Sequence, residues 1–122
     1  MLEELVKLPD ILFVMGKGPE AVMEAWVDPE ETRLEIRRGW IAVESKLWHC
    51  HLELGKIAEV RFMEEPDPHG PDRQAFSIRF LREDREPLLM VFFGRMYDDE
   101  GQLIAEKLER FHSLREKYEA GL

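Results

Sequence analysis

Apolar residues recur at every second position through most of the chain, and only towards the carboxyl end does their spacing lengthen to three and four. The first of these is a strand period and the second a helix period. Leu2, Leu5, Val6 and Leu8 share one helical face and Pro9 stops the pattern, so a short helix is expected over residues 1–8. Ile11 to Met15 is an apolar run followed by the turn signal Gly16-Lys17-Gly18-Pro19. Val22 and Trp26 stand four apart, as in a helix, but the two-residue period of 21–27 and the turns around it suit a strand, which predicts a hairpin of 10–15 with 20–27. Asp28-Pro29 breaks it. Leu34 and Ile36 then alternate with Arg33, Glu35 and Arg37, and Gly39 separates them from Trp40-Ile41-Ala42-Val43, giving two further strands.

The middle of the chain, Leu47 to Met63, reads as two strands around a short turn. Trp48, Cys50 and Leu52 face one way and His49 and His51 the other. If Leu54-Gly55-Lys56 is a three-residue turn, His51 stands opposite Glu59 and His49 opposite Arg61; a two-residue Gly55-Lys56 turn sets both histidines beside Val60 and Phe62 instead. Three prolines and a glycine within 65–72 mark an exposed loop, with His69 solvated in it. Phe76, Ile78 and Phe80 alternate as a half-buried strand, 82–86 is a charged turn, and the unbroken apolar run Leu88 to Phe93 predicts a central strand covered on both sides. From Gln102, residues Ile104, Leu108, Phe111, Leu114 and Tyr118 follow a helical stripe, with Asp98 and Asp99 favouring its start. The expected architecture is α+β: an antiparallel sheet of seven or eight strands, a short first helix and a long last one, in a single domain over 1–122.

Composition narrows the chemistry. A net charge of −9 opposes a phosphate-neutralising surface, so no nucleic-acid partner is expected. The single cysteine, Cys50, excludes an internal disulfide and a four-cysteine zinc site, and reads as a small buried hydrophobe. No apolar run reaches the roughly 18 residues of a membrane span, and Glu3 and Glu4 stand where a secretion signal would be basic, so a cytoplasmic protein with no membrane contact is expected. Nucleophile elbows and phosphate-cradling glycine loops are absent from the sequence. His49 and His51, two residues apart on one strand face, also suit a metal ion, with Glu59 as a third ligand.

Three features occur in order: His51-Leu52 shortly before Ile57-Ala58, Val91-Phe92-Phe93-Gly94-Arg95 at a strand end, and Phe111-His112-Ser113-Leu114 on the last helix. Together they resemble the haem-utilisation carriers of the HemS/ChuX type, and most closely the compact single-domain members. The resemblance covers residues 10–120. It implies a saddle-like antiparallel sheet flanked by helices, a homodimer, and haem held against the sheet for storage or delivery.

By this resemblance His51 is the axial ligand of the haem iron, with His49 as its neighbour. Met15 stands where some compact members have a second histidine, and a thioether is a possible axial ligand. Arg95 is placed to meet a haem propionate, with Lys46, Arg37 and Arg38 as weaker choices, unless it pairs with Asp98 or Asp99. His112 is either a site residue or a structural hydrogen-bonding group at the seam of helix and sheet. The first expectation is therefore a non-enzymatic haem-binding protein. Two others stand beside it: a dimeric binding module for another apolar carboxylate that has lost the second ligand, and a haem-degrading enzyme, which would need an open coordination position and an electron source.

Overall fold

The computed structural model describes residues 1–16 and 20–119, and of Pro71 the backbone alone. Of the expected turn at 16–19, residues 17–19 lie outside the described residues. A short helix α1 (Leu2–Leu5) precedes strands β1 (Ile11–Met15), β2 (Met23–Val27), β3 (Arg33–Arg37), β4 (Trp40–Glu44) and β5 (His49–Glu53). A 3-10 turn at Leu54–Lys56 leads to β6 (Glu59–Asp67), β7 (Gly70–Leu81) and β8 (Pro87–Phe93), and the chain closes on helix α2 (Ala105–Glu119). The fold is α+β, as expected, but its eight strands divide into two antiparallel sheets, β2-β1-β8-β7-β6 and β3-β4-β5.

The hairpin of β1 with β2 forms, with Ile11 opposite Val27 and Met15 opposite Met23. Strands β3 and β4 meet through a two-residue turn in which Arg38 and Gly39 both take positive φ, 53° and 81°. That is the turn whose twist suits a hairpin. The expected pairing of the two central strands does not form. Leu54 N–H donates to the Gly39 carbonyl at 2.8 Å, while Ala58 N–H donates to the Leu81 carbonyl at 2.7 Å. The 3-10 turn thus carries the chain out of one sheet and into the other. As a result the favoured three-residue turn at Leu54-Gly55-Lys56 forms, but β5 pairs with β4 and β6 with β7, so neither register expected across the turn is made. His51 stands opposite Ala42 and His49 opposite Glu44, while Glu59 pairs with Arg61 at 3.2 Å.

The expected loop over 65–72 is also shorter than composition suggests. Strands β6 and β7 continue to Asp67 and from Gly70, leaving Pro68 and His69 as the turn, where the Asp67 carboxylate accepts the His69 N–H at 2.9 Å. Pro66 is tolerated because β6 is an edge strand and its missing N–H breaks no central ladder. The last helix begins at Ala105 rather than Gln102, because Asp98 closes a turn of its own: its carboxylate accepts the N–H groups of Glu100 and Gln102, both at 2.9 Å.

Strand β8 is central, between β1 and β7. On one face of this sheet Ile11, Phe13, Val91, Leu89, Ile78 and Phe80 are buried, and we call this face inner. Its cover comes from two sources. Ile41, Val43, Cys50 and Leu52 of the small sheet join the same core, with the Phe13 and Trp48 rings 5.8 Å apart. Helix α2 contributes Phe111, fully buried, whose ring meets Phe62, Phe76 and Phe93 edge-on at 5.6, 5.3 and 5.1 Å. Such edge-to-face contacts add to the burial of the ring itself.

Both ends of the chain are clasped together. The Glu4 carboxylate accepts hydrogen bonds from Lys117 and Tyr118 on α2. The Lys117 bond first, then that of Tyr118, hold the Glu4 carboxyl below its ordinary range.

Phe111→Ala is expected to cost about 3–5 kcal/mol, the range for a deleted core aromatic; a lowered denaturant midpoint with an unchanged slope would show it. Glu4→Gln tests the clasp. A carboxyl whose folded pKa lies below its unfolded one contributes stability that is full above the unfolded pKa and is lost as pH falls through the folded one. The difference in melting temperature between wild type and Glu4→Gln should therefore be largest near neutral pH and shrink towards zero in acid.

Candidate functional site

Leu12, Val14, Met90 and Phe92 alternate with the core residues of β1 and β8, so they lie on the outer face of the five-stranded sheet, where Leu12 pairs with Phe92 and Val14 with Met90. An apolar strip at the centre of a sheet has to be covered or put to use. Neither α2 nor the small sheet reaches this side. Here the structure forms a cavity of about 410 Å³, whose floor these four residues make together with Ala75. Its size falls within the several-hundred-Å³ range of small-molecule and cofactor sites.

Polar groups gather at the rim. The turn residue His69 and its neighbour Asp67 stand on one side, Glu24 of β2 on another, and Arg73, Arg95 and Tyr97 on the remainder. Tyr97 ties the wall together: the Gln74 N–H donates to its hydroxyl at 2.8 Å, and the Arg73 guanidinium lies 4.9 Å above its ring. That cation–π contact holds one positive group at the mouth.

Arg95 owes its position to the motif Phe93-Gly94-Arg95. Gly94 N–H donates to the Asp10 carbonyl at 2.7 Å, and a Cβ at Gly94 would stand 2.9 Å from the Trp26 ring. A side chain at this position would displace the indole and crowd the Asp10 carbonyl, 3.0 Å from the same point. Arg95 follows with φ 50°, its carbonyl accepting a bond from Lys107 at 2.9 Å and its guanidinium 3.6 Å from Asp10. Its sequence-expected partners Asp98 and Asp99 are not used. The side chain is 81% exposed, fixed at its base and available at its tip.

Of the candidate haem-contacting residues named from the sequence, the cavity gathers Arg95 alone. His49 and His51 lie on the small sheet, on the face turned away from the core, with ring centres 5.2 Å apart. Cys50 between them points inward; burial pushes its thiol up to about 11, so it supplies no thiolate near neutral pH. Met15 is on the inner face of β1, packed against the core. His112 lies 3.4 Å from Glu64, which also takes a 2.7 Å bond from Arg115, so it sits at the seam of helix and sheet. Lys46 is 3.8 Å from Glu31, Arg37 pairs with Glu35, and Arg38 occupies the turn before β4. Both sheets and the core stand between the histidine pair and the cavity, so a single ligand cannot touch His51 and Arg95 of the same chain. Among the described residues, no group of three His, Cys, Asp or Glu side chains is assembled to hold a metal ion, and no helix is long and apolar enough to cross a membrane.

Sequence reasoning read His69 as a solvated loop residue, whereas it lines the cavity, and missed Arg73, Tyr97 and the floor residues Met90 and Phe92. For the last two the signal was present: a run apolar on both faces, with only one long helix to cover it.

A family model matches residues 1–118. No curated protein sequence matches the chain. Among solved structures, the haem-binding protein ChuX superposes with a TM-score of 0.74 at 17% identity, over 97% of this chain and 70% of that one. The holo form of PhuS, a haem-binding protein from Pseudomonas aeruginosa, gives 0.70 at 20% identity over 92% of this chain and 31% of PhuS. ChuS, an E. coli haem oxygenase, gives 0.64 at 16% identity over 87% of this chain and 30% of ChuS. At these identities the similarity is one of fold, and the chain spans less than a third of PhuS and ChuS.

Proposed function

This chain belongs to the HemS/ChuX-type haem-utilisation family, and we propose that it binds haem against the outer face of its five-stranded sheet, as a carrier in the cytoplasm rather than as an enzyme. The observation that supports this is the cavity: an apolar floor of Leu12, Val14, Met90 and Phe92 with two guanidinium groups at its rim. A porphyrin has the matching character, an apolar plane with two carboxylates at one edge. Burial of the plane supplies most of the affinity, and bonds from Arg95 and Arg73 to the propionates orient it. Bound haem supplies an iron centre; the chain's part is to seat it, hold its carboxylates and exclude water from one side.

A second reading places the iron on His51. It is favoured by the accessible imidazole pair on β5, which has Trp40 and Ala42 of β4 on the same face. That face is otherwise charged, with Glu35, Glu44, Glu53 and Arg33 on it, and offers a porphyrin far less apolar area than the cavity.

We further propose a homodimer through the free edge of β2. It is an edge strand of the larger sheet, and Met23 and Trp26 on it are 74% and 59% exposed. Antiparallel addition of the partner's β2 would satisfy the open backbone groups.

A hemin titration followed at the Soret band distinguishes these readings. The expected result is a saturable one-to-one complex, weakened about 10-fold or more by joint Arg73→Ala and Arg95→Ala substitution, as loss of charge-assisted bonds implies, and by Ala75→Trp, which fills the cavity. His51→Ala should leave it unchanged. Loss of the complex with His51→Ala, but not with the cavity variants, would move haem to the small sheet. Weak, unsaturable binding by every form would remove haem in favour of another apolar carboxylate, and loss of the Soret band with a reductant would show degradation. For the dimer, Trp26→Glu is expected to halve the sedimenting mass; an unchanged mass would exclude the β2 edge.

A further inference from the structure

Arg95, the guanidinium that the cavity presents to a ligand carboxylate, already has a carboxylate beside it. Its Nε lies 3.6 Å from Oδ1 of Asp10, the one ion-pair partner it has among the described residues. On one side Arg95 borders the cavity floored by Leu12 and Phe92, and on the other a second recess that it shares with Asp10, Trp26 and Asp28. A carboxylate bound in the cavity therefore competes with Asp10 for the same guanidinium.

Asp10 is the better fixed of the two residues. Its carbonyl accepts the Gly94 N–H at 2.7 Å, and its backbone takes φ 59°, a conformation that Asp and Asn adopt more readily than most residues. Its carboxylate also accepts a 2.8 Å bond from Lys107, whose side chain is 19% exposed against 81% for Arg95. The two contacts differ accordingly. The Lys107 bond is short and sheltered, while the Arg95 contact is longer than a hydrogen bond and open to solvent, where screening leaves it weak. When Arg95 turns away, Lys107 still neutralises Asp10, and no half-buried charge is abandoned. Lys107 also holds the Arg95 carbonyl at 2.9 Å, so the guanidinium turns on a base that stays held.

We propose that Asp10 and Lys107 are positioning residues for carboxylate recognition: Asp10 holds the Arg95 guanidinium at the cavity wall in the ligand-free protein, and Lys107 releases it to the ligand by remaining as the counter-ion of Asp10. This rests on the reading of the cavity as a porphyrin site and names what sets its preference for a free carboxylate. A neutral ligand has nothing to exchange for the Asp10 contact, whereas a carboxylate replaces it in kind.

The test is a fluorescence titration of the haem-free protein with metal-free mesoporphyrin IX and, in parallel, with its dimethyl ester, which has the same ring but no free carboxylate. Leaving out the iron removes coordination from the comparison. Asp10→Asn takes away the competing charge and keeps the backbone conformation, and should tighten binding of the diacid by up to about five-fold, the span of an exposed ion pair. Lys107→Gln keeps a donor but leaves Asp10 dependent on Arg95 for its counter-charge, and should weaken binding by a similar factor. The two substitutions together should bind at least as tightly as wild type, a rescue that damage to the fold does not produce. The ester should bind all these forms alike, and in an Arg95→Ala background Asp10→Asn should change nothing. Weaker binding of the diacid by Asp10→Asn, equal changes with both porphyrins, or an Asp10→Asn effect that survives Arg95→Ala would overturn the proposal and leave the cavity a porphyrin site. Binding of neither porphyrin by any form would instead remove the porphyrin reading, and this proposal with it.

Discussion

A sheet that is apolar on both faces at its centre has to be covered twice, and among the described residues helix α2 and the small sheet cover one face. The strip formed by β1, β8 and β7 buries Phe13, Val91 and Ile78 on the inner side, and there the small sheet and α2 close over it, with the Phe111 ring at the meeting point of three other aromatic rings. On the outer side, among the described residues, Leu12, Val14, Met90 and Phe92 have no helix above them. The long hairpin of β6 and β7 and the segment after β8 reach only to the margins of this strip. A concave apolar surface with a polar rim is the physical consequence. Burial of a ligand's apolar body supplies the cover that the fold itself leaves out.

The motif Phe93-Gly94-Arg95 shows how closely that surface is tied to the core. Phe93 belongs to the inner face and packs on Phe111, Gly94 lets the Trp26 indole lie against the backbone, and Arg95 emerges at the rim. Lys107 of α2 holds both the Asp10 carboxylate and the Arg95 carbonyl, at 2.8 and 2.9 Å. Three consecutive residues thus link the helix, the central strand and the cavity mouth. A side chain that is mostly exposed is placed by groups that are mostly buried, which is the arrangement binding calls for: a fixed base and a free tip.

Division of the strands into two sheets has its own chemical outcome. Because the 3-10 turn at Leu54–Lys56 hands the chain from one sheet to the other, the histidines of β5 are separated from Glu59 and placed opposite Ala42 and Glu44. The domain therefore has two chemically different outward faces. One is apolar with guanidinium groups at its margin, and the other is polar with paired imidazoles, with the core between them.

The sequence by itself determined the periodicities, and these decided most of the secondary structure: the β1–β2 hairpin, the central position of β8, the inward direction of Cys50 and the outward direction of His49 and His51. Local patterns also carried the family likeness and the candidacy of Arg95, since glycine before a charged residue at a strand end is legible in one dimension. Only the tertiary structure decided which strands pair. The alternation of β5 and β6 fits a hairpin as well as it fits two different sheets, and the choice depends on where the N–H groups of Leu54 and Ala58 find acceptors, 15 and 23 residues away in sequence at Gly39 and Leu81. The same limit hid Arg73, Tyr97 and His69. Each is unremarkable among its sequence neighbours and gains a role only when the curled hairpin and the segment after β8 are brought to one rim. Side-chain direction follows from a two-residue period, but the partners a side chain meets depend on contacts between residues far apart in the chain.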